Sequence, residues 1–443
     1  MIFSFYVISL VIKPLRNSMT TILIIIFIIG YFAIAFENSI KINKSASALL
    51  TGVLCWMVYI IMGNDKQIVT EQLTEHLAEL SGILFFLMGA MTIVELIDAH
   101  DGFDVITSRI TTTKKTKLLW IIGSITFFLS AILDNLTTAI VMVTLLRKLI
   151  DDKEDRLLFI GIVVIAANAG GVWSPIGDIT TTMLWIGGQI SAGNIMMKLF
   201  IPSLVCLMVP MLILTFKLKG NVSRPVIANS ISGNPTTAFE RNLVFFLGIG
   251  AFVFVPVFTT VTHLPPFMGI LFGLGVLWII TELIHSNKND EDKDSLSVVN
   301  ALRKIDVPSI LFFLGILIAI AALQSTGVLA QLAQIMNDKI RELNIIIPLI
   351  GLLSAVIDNV PLVAASMGMY DMNIYPQDAY IWDFLAYCAG TGGSILIIGS
   401  AAGVAAMGME KINFIWYLKK IAWLALLGYF AGILCYVGLE YLY

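Results

Sequence analysis

Apolar runs long enough to cross a bilayer recur from one end of the chain to the other. A spanning helix needs about 20 predominantly apolar residues. Runs of roughly that length occupy residues 20–36, 46–62, 80–97, 157–186, 199–216, 242–261, 266–284, 308–325, 383–409 and 415–439. The stretches 118–149 and 345–369 differ in kind, because each holds an Asp-Asn pair near its middle. Backbone that breaks inside lipid survives only where protein or a cavity shields it, so these two read as re-entrant hairpins. Residues 1–12 are apolar but short of a comfortable span, and neither a basic n-region nor a small-residue cleavage site supports a signal peptide.

Composition agrees. Of 443 residues, 58% are hydrophobic and 13% charged, about half the charged share of a soluble domain. A net charge of −3 points away from nucleic acid. The cysteines (Cys55, Cys206, Cys388, Cys435) sit apart in apolar stretches without CxxC or metal-ligand spacing, as buried small hydrophobes do. No nucleophile–base spacing or nucleotide-binding loop supports an enzyme, and no cofactor is expected.

The halves repeat one design. Ile83-Leu84-Phe85-Phe86-Leu87 recurs as Ile310-Leu311-Phe312-Phe313-Leu314, and Ser130 to Asn135 is echoed by Ser354 to Asn359. Asn168-Ala169-Gly170-Gly171, with Gly177, parallels Gly390-Thr391-Gly392-Gly393, with Gly399. Three matches in one order at nearly constant offset predict an all-α polytopic membrane protein. It has about ten or eleven transmembrane helices plus two re-entrant hairpins, in two inverted repeats with broken helices at the midplane. Residues 1–79 form N-terminal helices with a scaffold or dimer role. Repeat 1 covers 80–216, with hairpin 118–149 and broken helix 157–186. A linker region, 217–306, contributes two helices and a charged loop read as a solvated cytoplasmic connection. Repeat 2 covers 307–443, with hairpin 345–369 and broken helix 383–409.

Lys114, Lys115, Lys117, Arg147 and Lys148 flank the first hairpin and put its ends on the cytoplasmic side. Asp371, Asp378 and Asp383 follow the second hairpin and suit the outside. Lys339 and Arg341 before it, and Lys13 and Arg16 near the N-terminus, run against this scheme.

Asp134 and Asp358 carry the chemistry. An ionisable group at membrane depth costs a few kcal/mol and needs a partner or a task. A helix cap is the plain alternative, yet both residues occupy equivalent repeat positions. Carboxylate, amide, hydroxyl and freed carbonyl oxygens suit a small hard cation, by analogy with calcium and magnesium sites. The expected ion-binding set is Asp134, Asn135, Thr138, Asn168, Ser174, Asp178, Asp358, Asn359, Thr391, Ser394 and Ser400, with Na+ on Asp134 and Asp358. Desolvation favours a protonated carboxyl and a bound cation favours the ionised one, so Na+ and H+ compete. Asp134 is the expected centre of that competition, with Glu95 as a proton relay. Glu410 is placed near an interface, and the four histidines at loops or helix ends, which argues against a buried histidine switch.

At Ser130 to Thr138, Asn168 to Asp178, Ser354 to Pro361 and Gly390 to Ser400 the chain resembles the NhaD-type sodium/proton antiporters of the ion transporter superfamily, relatives of arsenite and citrate/dicarboxylate permeases. The resemblance runs from about residue 20 onward. It implies exchange of Na+, and also Li+, for H+ across a bacterial inner membrane. It also implies a lipid-embedded homodimer with a scaffold and a moving transport domain. The alternative is a sodium- or proton-coupled anion permease of the same fold, for dicarboxylate, citrate or arsenite. Three carboxylates and no Lys or Arg within the motifs oppose it.

Overall fold

The computed structural model describes residues 18–441 apart from 36, 64, 108, 226–235, 287 and 341. The N-terminal apolar segment with Lys13 and Arg16, Arg341, the Lys339 side chain and part of the 217–241 linker lie outside the described residues.

In chain order come α1 (Ser18–Ala35), α2 (Lys44–Met62) and α3 (Lys66–Ala99), then α4 (Lys115–Leu133) and α5 (Asn135–Leu149). Next are α6 (Lys153–Gly171), α7 (Ile179–Ile186) and α8 (Ala192–Lys217), followed by α9 (Ala238–Thr262) and α10 (Pro266–Ile284). Two short helices, α11 (Asp290–Ser295) and α12 (Val298–Lys304), precede α13 (Val307–Ser325) and α14 (Val328–Ile340). The chain closes with α15 (Leu343–Leu353), α16 (Asn359–Met369), α17 (Tyr380–Gly392), α18 (Ala401–Glu410), α19 (Phe414–Lys420) and α20 (Ala422–Glu440).

This is a helical polytopic membrane protein. Eight helices among the described residues are long and apolar enough to cross a bilayer: α2, α3, α4, α8, α9, α10, α13 and α20. The run at 20–36 becomes α1, and the runs at 157–186 and 383–409 are each two helices separated by a break, as their glycines require. At 34 residues α3 extends well before the expected 80–97. It is about 50 Å long, more than a bilayer core is thick. The loop 285–306 is not simply solvated: it folds into α11 and α12, and Leu296, Val298 and Ala301 are buried.

The chain divides into two units. One holds the described residues up to Leu84 with Asp306–Ile346 and Val360–Pro376. Within it, α2 and α13 pack backbone to backbone, Gly52 facing the Gly315 carbonyl where a side chain would collide. Ser45 Oγ donates to the Pro308 carbonyl (2.6 Å) and Trp56 Nε1 to the Ile318 carbonyl (2.9 Å), fixing the register of that pair.

The other unit is Phe85–Ile305, Ile347–Asn359 and Gln377–Tyr443. Its organising element is a helical hairpin. α4 and α5 are joined by Asp134 alone, and their far ends meet on one short segment. Lys115 N donates to Gly220 O (3.1 Å), Val222 N to Thr113 O (2.8 Å), and Asp151 N to Ser223 O (2.9 Å). Lys115 also pairs with Asp155, Nζ to Oδ2 at 2.6 Å.

Two of the segments matched in sequence make matching hydrogen bonds. Ser130 Oγ donates to Ala167 O and Ser354 Oγ to Ala389 O, each at 2.6 Å. A Cβ on Gly170 would strike the Phe127 carbonyl, and one on Gly392 the Gly351 carbonyl, seven residues before Asp134 and Asp358 respectively. Each Asp-bearing segment thus lies backbone to backbone on the broken helix that follows it.

Candidate cation site

The two breaks are built alike. α6 ends at Gly171 and α7 begins after Asp178, while α17 ends at Gly392 and α18 begins after Ser400. Asp178 (φ −143°) and Ser400 (φ −141°) are both extended N-caps. Asp178 Oδ1 accepts from Thr180 N at 2.8 Å, and Ser400 Oγ accepts from Gly403 N at 3.2 Å. Both follow from the need to satisfy free N–H groups at a helix start.

Around Asp178 a buried amide network closes. Asn135 Nδ2 donates to Asp178 Oδ2 at 2.6 Å and to Asn168 Oδ1 at 3.1 Å. Asn168 Nδ2 donates to Ser400 Oγ at 2.9 Å. Thr180 Oγ1 donates to Asp178 Oδ1 at 2.7 Å, and Asn359 Nδ2 lies 3.5 Å from both Asp178 oxygens, the outer limit of a hydrogen bond. Asp178, Asn168, Asn135, Asn359, Thr180 and Ser400 are all buried. The asparagines of both Asp-Asn pairs therefore converge on one carboxylate.

Asp134 is arranged differently. It is half-buried and caps α5: Oδ1 accepts from Thr137 N and Oδ2 from Thr137 Oγ1, each at 2.8 Å. Its φ of +83° is a conformation that non-glycine residues seldom adopt. Such strain is kept where the surroundings over-determine it. Thr138 is fully buried and its Oγ1 has no hydrogen-bond partner. It stands three residues after Asn135, so it shares that helix face. A desolvated hydroxyl without a partner costs about 1–3 kcal/mol, and a cation is a ligand that would recover it.

The remaining expected residues lie at the breaks but bond locally. Thr391 Oγ1 donates to Tyr387 O and Ser394 Oγ to Thr391 O, both at 2.6 Å. Ser174 Oγ accepts from Ile176 N at 3.3 Å. Asp358 is half-buried in the turn between α15 and α16. Glu95 is half-buried, and the charges acting on it are Asp98 and Lys304 rather than any carboxylate of the Asp178 network. Thr180, which stands in the second helical position after the break, contributes two of the bonds to Asp178 and was not in the expected set.

Glu410 closes α18, at a helix end as expected. It is buried, its Oε1 accepting from Arg147 Nε at 2.5 Å and its Oε2 from Arg156 Nε at 3.1 Å. The end of α18 is thereby tied to the end of α5 and the start of α6. His100 and His285 do sit at helix ends, yet both are buried and their rings stack, 5.0 Å between centroids at 18°. A helix end does not imply exposure.

The profile of the citrate transporter family, CitMHS, matches residues 10–390. The chain belongs to the CitMHS family. Its resemblance to NhaD-type antiporters is borne out by individual relatives. Sodium/proton antiporters 1 and 2 of Arabidopsis thaliana are 51% and 48% identical to it over 95% and 94% of this chain, covering 72% and 99% of their own lengths. The Na+/H+ antiporter NhaD of Alkalimonas amylolytica is 30% identical over 94% of this chain and 90% of its own length. Every residue of the Asp178 network of this CitMHS chain lies inside the aligned family region except Ser400, ten residues beyond it.

Proposed function

We propose that this chain is a secondary transporter exchanging Na+, and Li+, for H+. Cation and proton compete for buried carboxylates where two hairpin tips meet two broken helices. The observation that carries the reading is the convergence of Asn135, Asn168, Asn359 and Thr180 around Asp178. Oxygen-rich, buried and free of any Lys or Arg, this network suits a hard monovalent cation. Competition between charging a buried carboxylate and desolvating it links the cation to a proton. Relatives named sodium/proton antiporters support the same reading.

Asp134 caps α5 at the first hairpin tip, Asp358 stands in the turn before α16, and Thr138 offers its unpartnered hydroxyl. We assign cation binding to Asp134, Asn135, Thr138, Asn168, Ser174, Asp178, Asp358, Asn359, Thr391, Ser394 and Ser400, and extend the set to Thr180. Proton relay is assigned to Asp134 with Glu95. The helices α15 and α16, 11 residues each, are about 16 Å long and too short to span, which supports a re-entrant second hairpin. The matched bonds of the two halves support an inverted repeat. A homodimer in the lipid of a membrane that sustains a proton gradient completes the proposal. The inner membrane of a bacterium meets that requirement.

The family description names citrate, but the Asp178 carboxylate and the absence of cationic side chains from its network oppose an anion. The deciding experiment is proton-gradient dissipation in vesicles on adding Na+, Li+, K+ or citrate across a pH range. A response to Na+ and Li+ is expected, and a response to citrate alone overturns the reading.

A further inference from the structure

One buried carboxylate takes no part in the Asp178 network. Asp383 lies in the first turn of α17, about nine residues before the break, and is 1% exposed. Its Oδ2 accepts from Asn194 Nδ2 on α8 at 2.7 Å, and its Oδ1 is buried with no hydrogen-bond partner. An ionised carboxylate offers about four acceptor positions, and here a single neutral donor serves them. Burial of an ionised group so poorly paired costs several kcal/mol.

The surroundings are mostly acidic. On the loop before α17, Asp378 Oδ1 accepts from Ser191 N at 2.6 Å. On α20, Glu440 is paired with Lys198 of α8, and Tyr436 OH donates to Tyr380 O at 3.2 Å. Asp378, Lys198 and Glu440 are the charges that act on Asp383. Lys198 stands four residues after Asn194, on the same face of α8, and its charge is engaged by Glu440. The vacancy at Asp383 is therefore one oxygen beside two other carboxylates. A sodium ion needs several oxygens, whereas a proton needs one.

We propose that Asp383 is a second proton-binding site of this chain, separate from the cation site, whose occupancy sets the pH profile of transport. Loss of its proton places a new negative charge beside Asp378 and Glu440, for which Lys198 is the nearby counter-charge. The proton reaches it from the loop just before α17, where Gln377 is exposed and Asp378 half-buried. The proposal rests on the antiporter reading for its consequence, but the binding of the proton does not.

The test is infrared difference spectroscopy of the purified wild-type protein in lipid across a pH range, beside Asp383→Asn. A protonated-carboxyl band that titrates in the wild type and is missing in D383N is expected. In proteoliposomes D383N keeps its Na+ KM while its pH profile loses one ionisation. Identical spectra in the two proteins overturn the proposal, whatever the transport assay shows. If D383N does not reach the membrane, Asn194→Ala removes the single donor. The titration of the band is then expected to move up by about one pH unit, and an unmoved titration overturns the proposal equally. A band that behaves as expected in a protein without cation exchange leaves this site standing and removes only the antiporter reading.

Discussion

Asn135 and Asp178 are 43 residues apart in sequence and 2.6 Å apart in space, Nδ2 to Oδ2. One stands at the tip of a helical hairpin and the other caps the second half of a broken helix. The amide holds the carboxylate and leaves its own Oδ1 available to a cation. Asn135→Ala deletes a hydrogen bond to a charged group, about 1.5–3 kcal/mol. The Na+ KM is expected to rise about 10–100-fold, with smaller effect on maximal rate, read from Na+ titrations in vesicles. An unchanged KM would separate Asn135 from the ion.

Asp178→Asn removes the charge on which the amides converge and keeps the shape. Exchange is expected to fall at least 100-fold while the protein stays in the membrane. Asp134→Asn isolates charge at the hairpin tip, because Asn keeps the size and shape of the side chain and can still cap α5. It and Asp358→Asn are each expected to abolish exchange. Normal exchange in both tip variants reduces those carboxylates to helix caps.

Much of this site is legible in the sequence, and its blind spots have physical causes. Asp134-Asn135 and Asp358-Asn359 stand out because apolar flanks and internal repetition mark them. The central position of Asp178 does not stand out. Its repeat counterpart is Ser400, so a search for what recurs discards the charge that makes it distinctive. Thr180 is one of many hydroxyls until a helix start places its N–H and Oγ1 on one carboxylate oxygen. His100, His285 and Glu410 show a second limit. Position at a helix end is local information, whereas burial depends on which helix is packed above.

Glu410 joins three helices through Arg147 and Arg156, and removing its carboxylate takes the counter-charge from a half-buried Arg156. Breaking a buried pair typically costs about 3–5 kcal/mol. Arg147 is partly exposed and retains water, so about 2–4 kcal/mol is expected for Glu410→Gln. Thermal unfolding in detergent should show a lower Tm, whereas Na+ KM in the surviving protein should be near normal. A change in KM without loss of Tm would place Glu410 in the transport path instead.

The His100–His285 stack makes stability depend on pH. Burial holds His285 down to about 4, reinforced by His100 beside it, and burial also lowers His100 despite its bond to the Leu96 carbonyl. A depressed histidine is neutral in the folded state and takes up a proton on unfolding below about 6.5. The unfolded state then binds more protons, so stability is full above about 6.5 and declines as pH falls toward 4. The Lys288–Glu240 ion pair (2.9 Å) and Glu282 face the same cluster. Glu240 opposes the shift and Lys288 adds to it. Tm should fall by several degrees between pH 7 and pH 5 in the wild type, and by less in His285→Gln. A parallel decline in the two proteins would assign the acid sensitivity to other groups.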